Sequence, residues 1–224
     1  VLNPKMYIGN KAKGFKKFIS NLYLQSSLQL NQKVEATGFI QLNPLKAPLS
    51  DTSLITKSSV FINAFSYNKM DPKWGFDISS NQNTAKALLT YGYQTQSTRE
   101  WNLRTRWNLS RSFLLTSMWK KGNNYLFTSS TDFDSSNYQV NQYSVEPDLS
   151  YTQKANLRIT LGYLYTVKKN DAAYGGESYY SGALNTDAKY NLVSSTSLEA
   201  KFTYSGIHYT GSTNSTVSYI MLDG

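Results

Sequence analysis

Apolar and polar residues alternate along much of the chain, and the alternation is mirror-symmetric about three short polar segments. Trp107 and Phe113 are equidistant from Ser110, and similar apolar pairs flank Lys154 and Ser194. Side chains of a strand alternate between two faces, so two strands joined by a tight turn place equidistant residues on one face. The pattern therefore predicts three β-hairpins, each with one apolar and one polar face.

The length of the predicted strands indicates a membrane rather than a soluble setting. They have roughly 11 to 14 residues, whereas soluble strands usually have about 5–6, and a tilted strand needs around 9–11 residues to cross a bilayer. We therefore predict an all-β fold, an antiparallel up-and-down transmembrane β-barrel of about twelve strands that is complete in itself or part of a larger barrel. The predicted strands cover residues 19–31, 33–43, 57–67, 73–80, 86–95, 99–109, 112–121, 137–151, 156–168, 180–192, 196–208 and 215–222.

The apolar face of the predicted strands is rich in aromatic residues. Aromatic residues make up 14% of the chain, and 18 residues are tyrosines, which suits membrane interfaces, where an amphipathic ring lies between lipid tails and headgroups. We expect one set of these side chains to face lipid: Trp101, Trp107, Phe113, Trp119, Tyr143, Tyr163, Tyr165 and Tyr204.

Charged side chains occupy the polar face, where they are expected to form a ladder inside the barrel. About Ser194, Lys189 mirrors Glu199 and Asp187 mirrors Lys201, so opposite charges stand at matched positions. Such pairs favour one register over its neighbours. The predicted luminal ladder comprises Arg104, Arg106, Glu146, Asp148, Arg158, Asp187, Lys189, Glu199 and Lys201.

Catalytic chemistry is not expected from this sequence. Glu146 and Asp148 share one face about 7 Å apart, a spacing that could suit paired glycosidase carboxylates, but mirror symmetry places Arg158 diagonal to Asp148, which favours a structural charge network. The one histidine, His208, falls by parity on the aromatic face, away from a luminal nucleophile. Without cysteine, a Cys/His metal site is excluded. We expect no enzyme and no cofactor.

Charge and loop length suggest the organisation of the chain. The net charge is +9, but the basic residues are scattered apart from four lysines within residues 11–17, so we expect no nucleic-acid partner. We predict a basic leader or linker over residues 1–18 and a barrel domain over residues 19–224. Long polar loops are predicted at 122–136 and 169–179, on the outer rim, opposite short periplasmic turns.

Several stretches resemble the carboxyl-terminal β-barrel region of large Bacteroidota outer-membrane proteins, over roughly residues 86–224. They are WNLRTRWNLSRSF, NYQVNQYSVEPDLSYT, NLRITLGYLYTVKKN, ALNTDAKYNLVSSTSLEAKFTYSGIHYTG and NSTVSYIMLDG. In that family the last stretch is followed by two more strands that end in an aromatic residue, so the resemblance implies a barrel domain incomplete at its carboxyl end.

Taken with the pattern, the resemblance leads us to expect a protein of the bacterial outer membrane. Its expected partners are outer-membrane lipid, including lipopolysaccharide, and other outer-membrane proteins. We expect a scaffold, pore or transport- or secretion-linked component of an envelope complex. The alternative is a soluble extracellular β-sandwich that binds glycans through exposed aromatics, in which the aromatic faces of two sheets would pack together.

Overall fold

A computed structural model describes the chain over residues 14–34, 54–68, 73–90, 92–130, 137–154, 156–193, 196–211 and 215–223. These residues form a short helix and one antiparallel sheet of ten strands, in which every strand pairs with the next in sequence. The predicted all-β, up-and-down antiparallel architecture is confirmed. The elements are α1 Phe15–Ser20, β1 Leu22–Val34, β2 Leu54–Tyr67, β3 Trp74–Leu89, β4 Gly92–Asn108, β5 Phe113–Thr128, β6 Tyr138–Gln153, β7 Leu157–Asn170, a 3-10 helix Ala172–Tyr174, β8 Ser178–Val193, β9 Thr196–Thr210 and β10 Ser215–Asp223.

The strands are longer and fewer than predicted. The segments 73–80, 86–95 and 99–109 were expected as three strands, but they form β3 and β4. The polar run at 79–84 has no apolar alternation, yet it pairs without interruption with β2 and β4. The predicted strand 33–43 lies outside the described residues beyond Val34, where β1 ends.

The loops at 122–136 and 169–179 were also predicted too long. β5 continues to Thr128, β7 continues to Asn170, and β8 already begins at Ser178. The polar side chains that suggested loops belong to strand ends, because a paired backbone holds a strand whether or not its side chains alternate in polarity. The connection between β7 and β8 keeps only residues 171–177.

The sheet has an apolar face and a polar face, and it has a turn end and a loop end. The apolar face carries Leu24 of β1, Phe65 of β2 and Ile78 of β3, which are direct or successive cross-strand partners, and continues through the predicted aromatics to β10. The polar face carries the alternate residues. The turn end holds the connections that follow β2, β4, β6 and β8, and the loop end holds those that follow the odd-numbered strands.

Almost no apolar side chain is buried. In the described part of the chain, Tyr67 is the only buried apolar side chain, at 9% exposure, and the other buried side chains are polar. A soluble sandwich would enclose its aromatic faces between two sheets, whereas these strands form a single sheet with an exposed apolar face. The two-sheet packing expected for the alternative is therefore wrong for these residues.

The helix α1 lies at the turn end. Phe18 contacts the ring of Tyr67, with 4.8 Å between ring centroids. The backbone N–H of Asn68 donates to the carbonyl of Asn21 at 3.1 Å, and the two asparagine side chains are hydrogen-bonded at 2.7 Å. The predicted domain boundary after residue 18 falls inside this helix, while residues 1–13 lie outside the described part. No helix among the described residues is long and apolar enough to span a membrane.

The strands are staggered in one direction across the sheet. At the turn end, Tyr67, the last residue of β2, pairs with Phe76 of β3. Trp74, the first residue of β3, therefore lies two residues farther towards the turns than Tyr67. The same two-residue offset recurs between β4 and β5 and between β6 and β7, so six residues accumulate between β2 and β9. About 3.3 Å per residue along strands about 4.8 Å apart gives a tilt of roughly 30°. This is close to the tilt of about 35–45° in membrane barrels.

Pro147 lies inside β6. It pairs with Ser117 of β5, but the β6–β7 pairing is interrupted at Glu146 and Pro147 and then resumes in unchanged register. Proline has no N–H to donate to the ladder. The result is a local gap without an inserted bulge residue.

Gly75 allows the close approach of three groups at the turn end. A Cβ on Gly75 would lie 2.8 Å from the carbonyl oxygen of Asn68, 2.9 Å from that of Tyr67 and 3.2 Å from Nη2 of Arg106. Arg106 Nη2 donates to the same Asn68 carbonyl at 3.2 Å. A residue without a side chain is therefore required where the guanidinium crosses β3.

We expect Gly75→Ala to lower the free energy of unfolding by about 1–3 kcal/mol, because backbone atoms cannot move aside for the methyl group. The matched control is Gly122→Ala, whose Cβ would have its nearest neighbour at 3.8 Å and which we expect to be neutral. Urea unfolding in lipid vesicles measures the free energy of unfolding of both variants, and equal effects would contradict the close packing around Gly75.

Candidate functional site

All eight predicted lipid-facing aromatics lie on the apolar face. Cross-strand pairing links them strand by strand, for example Leu103 with Trp119, Trp119 with Val145, and Val145 with Tyr165. Their side chains are between 40% and 58% exposed. Their contact with lipid remains a prediction, but they are clustered and open to the surroundings, as lipid contact requires.

Aromatic side chains border the apolar face at two levels. Trp101 and Trp107 are six residues apart on β4, and Tyr180 and Tyr190 are ten apart on β8. These spacings correspond to about 20 to 33 Å along the strands, or about 17 to 29 Å along an axis tilted by about 30°. Membrane barrels have an apolar band about 25 Å tall between two aromatic girdles. The turn-end border comprises Tyr67, Trp74, Trp107, Phe113, Tyr151 and Tyr190, and the loop-end border comprises Trp101, Trp119, Tyr143, Tyr165 and Tyr180.

All nine residues of the predicted charge ladder lie on the polar face. The β8–β9 register pairs Lys189 with Glu199 and Asp187 with Lys201, as the mirror pattern about Ser194 predicts. Glu199 forms ion pairs with Lys201 at 2.8 Å and with Lys189 at 3.9 Å. These side chains are about half exposed, so the pairs add little stability. The Lys189–Glu199 pair joins β8 to β9 and so favours this register over a one-residue slip, whereas the Glu199–Lys201 pair lies within β9.

Two of the three predicted hairpin registers are wrong by two residues. Trp107 pairs with Leu115 rather than Phe113, and Tyr151 pairs with Ile159 rather than Leu157. The turns contain more residues than the mirror symmetry suggested. The symmetry could not show this, because flanking apolar residues in a two-residue repeat match equally well after a shift of two. Such a shift keeps every side chain on its face, so the predicted faces survive.

The corrected register separates Arg158 from Asp148. Arg158 lies opposite Lys189, a like charge, and Asp148 lies opposite Gly162. The Asp148 carboxylate fills the space that a Cβ on Gly162 would need. The predicted diagonal Arg158–Asp148 contact is therefore wrong, and Asp148 instead reaches over the backbone of β7.

A cleft opens on the polar face at the loop end, and sequence analysis missed it. It has a volume of about 650 Å³, within the range of small-molecule sites. Lys168 Nζ lies 5.2 Å from the centroid of the Tyr179 ring, and the Tyr179 and Tyr209 rings are 5.7 Å apart. Tyr138 and Glu177 also line it. The cleft offers phenol rings, an ammonium and a carboxylate to a ligand.

The cleft could not be found while residues 169–179 were interpreted as a loop. Tyr179 belongs to β8, and its register places it beside Lys168 of β7 and Tyr209 of β9. The available signal was the two-residue repeat of Tyr179 with Ser181 and Ala183, which continues the polar face of β8 beyond the predicted start.

The single histidine lies on the apolar face, as predicted by parity. His208 Nδ1 is 2.7 Å from the Thr216 hydroxyl, at the loop end of β9 and β10. In the part of the chain that the structure describes, no group of three or more histidine or acidic side chains could hold a metal ion. The sheet can therefore bind a polar ligand in the cleft on its polar face and contact apolar surroundings with its opposite face.

Comparisons with known proteins support this architecture. No family model and no curated protein matches the sequence. The crystal structure of the ferric yersiniabactin uptake receptor FyuA from Yersinia pestis is similar, with a TM-score of 0.50 at 14% sequence identity. The match covers 89% of this chain and 38% of the receptor chain. The likeness shows the fold alone, an up-and-down antiparallel β-sheet similar to part of the barrel of that receptor.

We expect Leu161→Arg on the apolar face of β7 to cost about 2–4 kcal/mol in lipid, because a cation near the middle of the apolar band is exposed to lipid tails. The matched control is Thr160→Arg, one residue away on the polar face and opposite Asp187, which we expect to cost little. Urea unfolding in vesicles compares the two variants. Similar costs for both would show that the faces do not meet different surroundings.

Proposed function

We propose that this chain forms part of the wall of an outer-membrane β-barrel that serves transport across the outer membrane, within an envelope complex. The observation that carries the proposal is the division of one staggered sheet into an exposed apolar face between two aromatic borders and a charged polar face. In membrane barrels the polar face lines the interior, which is filled with water or plugged.

Transport is favoured over a purely structural role by the polar face itself. It carries charges of both signs and the cleft formed by Lys168, Tyr179 and Tyr209 at the loop end. The similar structure is that of an uptake receptor for ferric yersiniabactin, and we extend to this chain the role of uptake, without the ligand.

A scaffold role is the second candidate, and the edges of the sheet favour it. Among the described strands, β1 and β10 each have one neighbour. An unpaired strand edge in lipid costs several kcal/mol for each unsatisfied backbone group. β10 also exposes apolar side chains on both faces, including Tyr219 and Ile220. We infer that other strands pair with these edges, from further parts of the protein or from a neighbouring outer-membrane protein.

Tryptophan fluorescence tests membrane insertion directly. The chain has four tryptophans, and all lie on the apolar face: Trp74, Trp101, Trp107 and Trp119. We expect vesicles with brominated lipid tails to quench their emission strongly, and aqueous iodide to quench it weakly. Strong iodide quenching without bromine quenching would indicate a water-exposed face and contradict the proposal.

Ion conductance in planar bilayers tests the transport role. Lys120 and Lys121 are consecutive in β5 and point to opposite faces. We expect stepwise currents whose selectivity shifts towards cations in Lys120→Glu, because the carboxylate then lines the passage. Lys121→Glu is the matched control and should leave selectivity unchanged. An inserted protein without current, or equal shifts in both variants, would favour the scaffold role instead.

A further inference from the structure

Acidic and basic side chains are distributed differently over the two faces of the described strands. Every acidic residue of the ten strands lies on the polar face: Asp77, Glu100, Glu146, Asp148, Asp187, Glu199 and Asp223. The apolar face of these strands carries cations alone: Lys57, Lys86, Arg99, Lys121 and Lys169. Its charge is therefore uncompensated by any carboxylate on the same face of these strands.

Lys57, Lys86, Arg99 and Lys169 lie on the loop side of the aromatic border, and Lys121 lies level with Trp101 and Tyr143, its direct cross-strand partners in that border. Arg99 is two residues beyond Trp101, and Lys121 is two residues beyond Trp119. Lys169 follows Tyr165 in the same direction, and Arg99, Lys121 and Lys169 are all exposed. Two residues correspond to about 6.6 Å along a strand. This distance carries a side chain from the level of an interfacial aromatic ring to the level of lipid headgroups.

Three of these cations belong to one continuous patch. A single row of cross-strand partners runs from Arg99 through Asn123 and Asn141 to Lys169. Asn123 Nδ2 donates to Asn141 Oδ1 at 2.9 Å in the middle of the row. Lys121 lies beside this row with its Nζ 5.5 Å from the centroid of the Tyr143 ring. We name these residues the cationic patch: Arg99, Lys121, Asn123, Asn141, Tyr143 and Lys169.

A nearby acidic residue, Asp171, follows β7 by one residue and lies two residues from Lys169. Its side chain accepts a hydrogen bond from the Ala173 N–H at 3.0 Å and caps the 3-10 helix. The patch thus combines cations and amides at headgroup level. Arginine and lysine are the side chains that bind phosphate best, and a basic residue near an anionic membrane surface contributes attraction.

We propose that the cationic patch binds the phosphate groups of a phosphorylated glycolipid, of the lipopolysaccharide type, in the outer leaflet. The proposal rests on the proposed function, since it requires the apolar face to meet lipid and the loop end to reach the outer surface. The acyl chains would lie along Trp101 and Trp119, while Arg99, Lys121 and Lys169 contact the phosphates.

The test measures binding of diphosphorylated lipid A to the full chain in detergent micelles. The variant carries Arg99→Gln, Lys121→Gln and Lys169→Gln. The control carries Lys120→Gln, Arg158→Gln and Lys189→Gln, which removes the same charge from the polar face. We expect binding at least about tenfold weaker in the variant and unchanged in the control. The difference should shrink at high salt, which screens exposed charges.

Two further lipids test whether the patch prefers a phosphorylated glycolipid. Dephosphorylated lipid A should bind the unaltered chain as weakly as the variant binds lipid A, and phosphatidylglycerol should bind less tightly than lipid A. Equal binding of lipid A by variant and unaltered chain would overturn the proposal. So would equal binding of the dephosphorylated lipid, or equal binding of phosphatidylglycerol. Circular dichroism verifies that both variants fold.

The proposed function and this inference fail separately. If brominated lipid does not quench the tryptophans, the sheet does not meet lipid and the proposed function fails. If quenching is strong and the variant binds lipid A as tightly as the unaltered chain, only the assignment of the cationic patch fails.

Discussion

The hydrogen-bond register of the antiparallel sheet is the constraint on which the rest of this structure depends. Side chains alternate between faces at every residue, so a shift of one residue between neighbouring strands would exchange the apolar and polar faces of every residue beyond it. The apolar face would then receive carboxylates such as Asp187 and Glu199. The cross-strand ion pair of Lys189 in β8 with Glu199 in β9 opposes that exchange, even though it contributes little to stability on its own.

The same register explains how the chain does without a hydrophobic core. In the described residues the sheet is a single layer, and its apolar side chains are exposed rather than packed against a second layer. In water such a surface would favour association. In lipid it is matched by the surroundings, and the demand shifts to the backbone, whose polar groups must all be paired. Stability then depends on uninterrupted ladders, and the gap at Pro147 is one place where a ladder is incomplete.

Sequence could predict the faces but not the register or the strand ends. An apolar two-residue repeat determines which side chains share a face, so Trp107 and Phe113 were assigned to the correct face even though they are not partners. The repeat looks the same after a shift of two, so only features that break it can fix the register. The opposite charges about Ser194 are such a feature, and the register there was predicted correctly.

Strand ends were harder to predict for a different reason. Within the apolar band, alternation is enforced by two unlike surroundings. Towards the loop end both faces of a strand are polar, as in the run at 79–84, so alternation disappears while the ladder continues. The cleft residues Tyr138 and Tyr179 lie in this part of the sheet. A site built where the pattern fades can be located only from the pairing.

The register also ties the cleft to the opposite face of the wall. Lys168 and Lys169 are consecutive in β7 and therefore point to opposite faces. Lys168 lies over Tyr179 in the cleft, whereas Lys169 pairs in register with Asn141 among the cations of the apolar face. Both lie just beyond the apolar band, at one height. Any change in pairing that moved one lysine would move the other, so the ligand-facing and lipid-facing chemistry of the loop end are set together by one alignment of β6, β7 and β8.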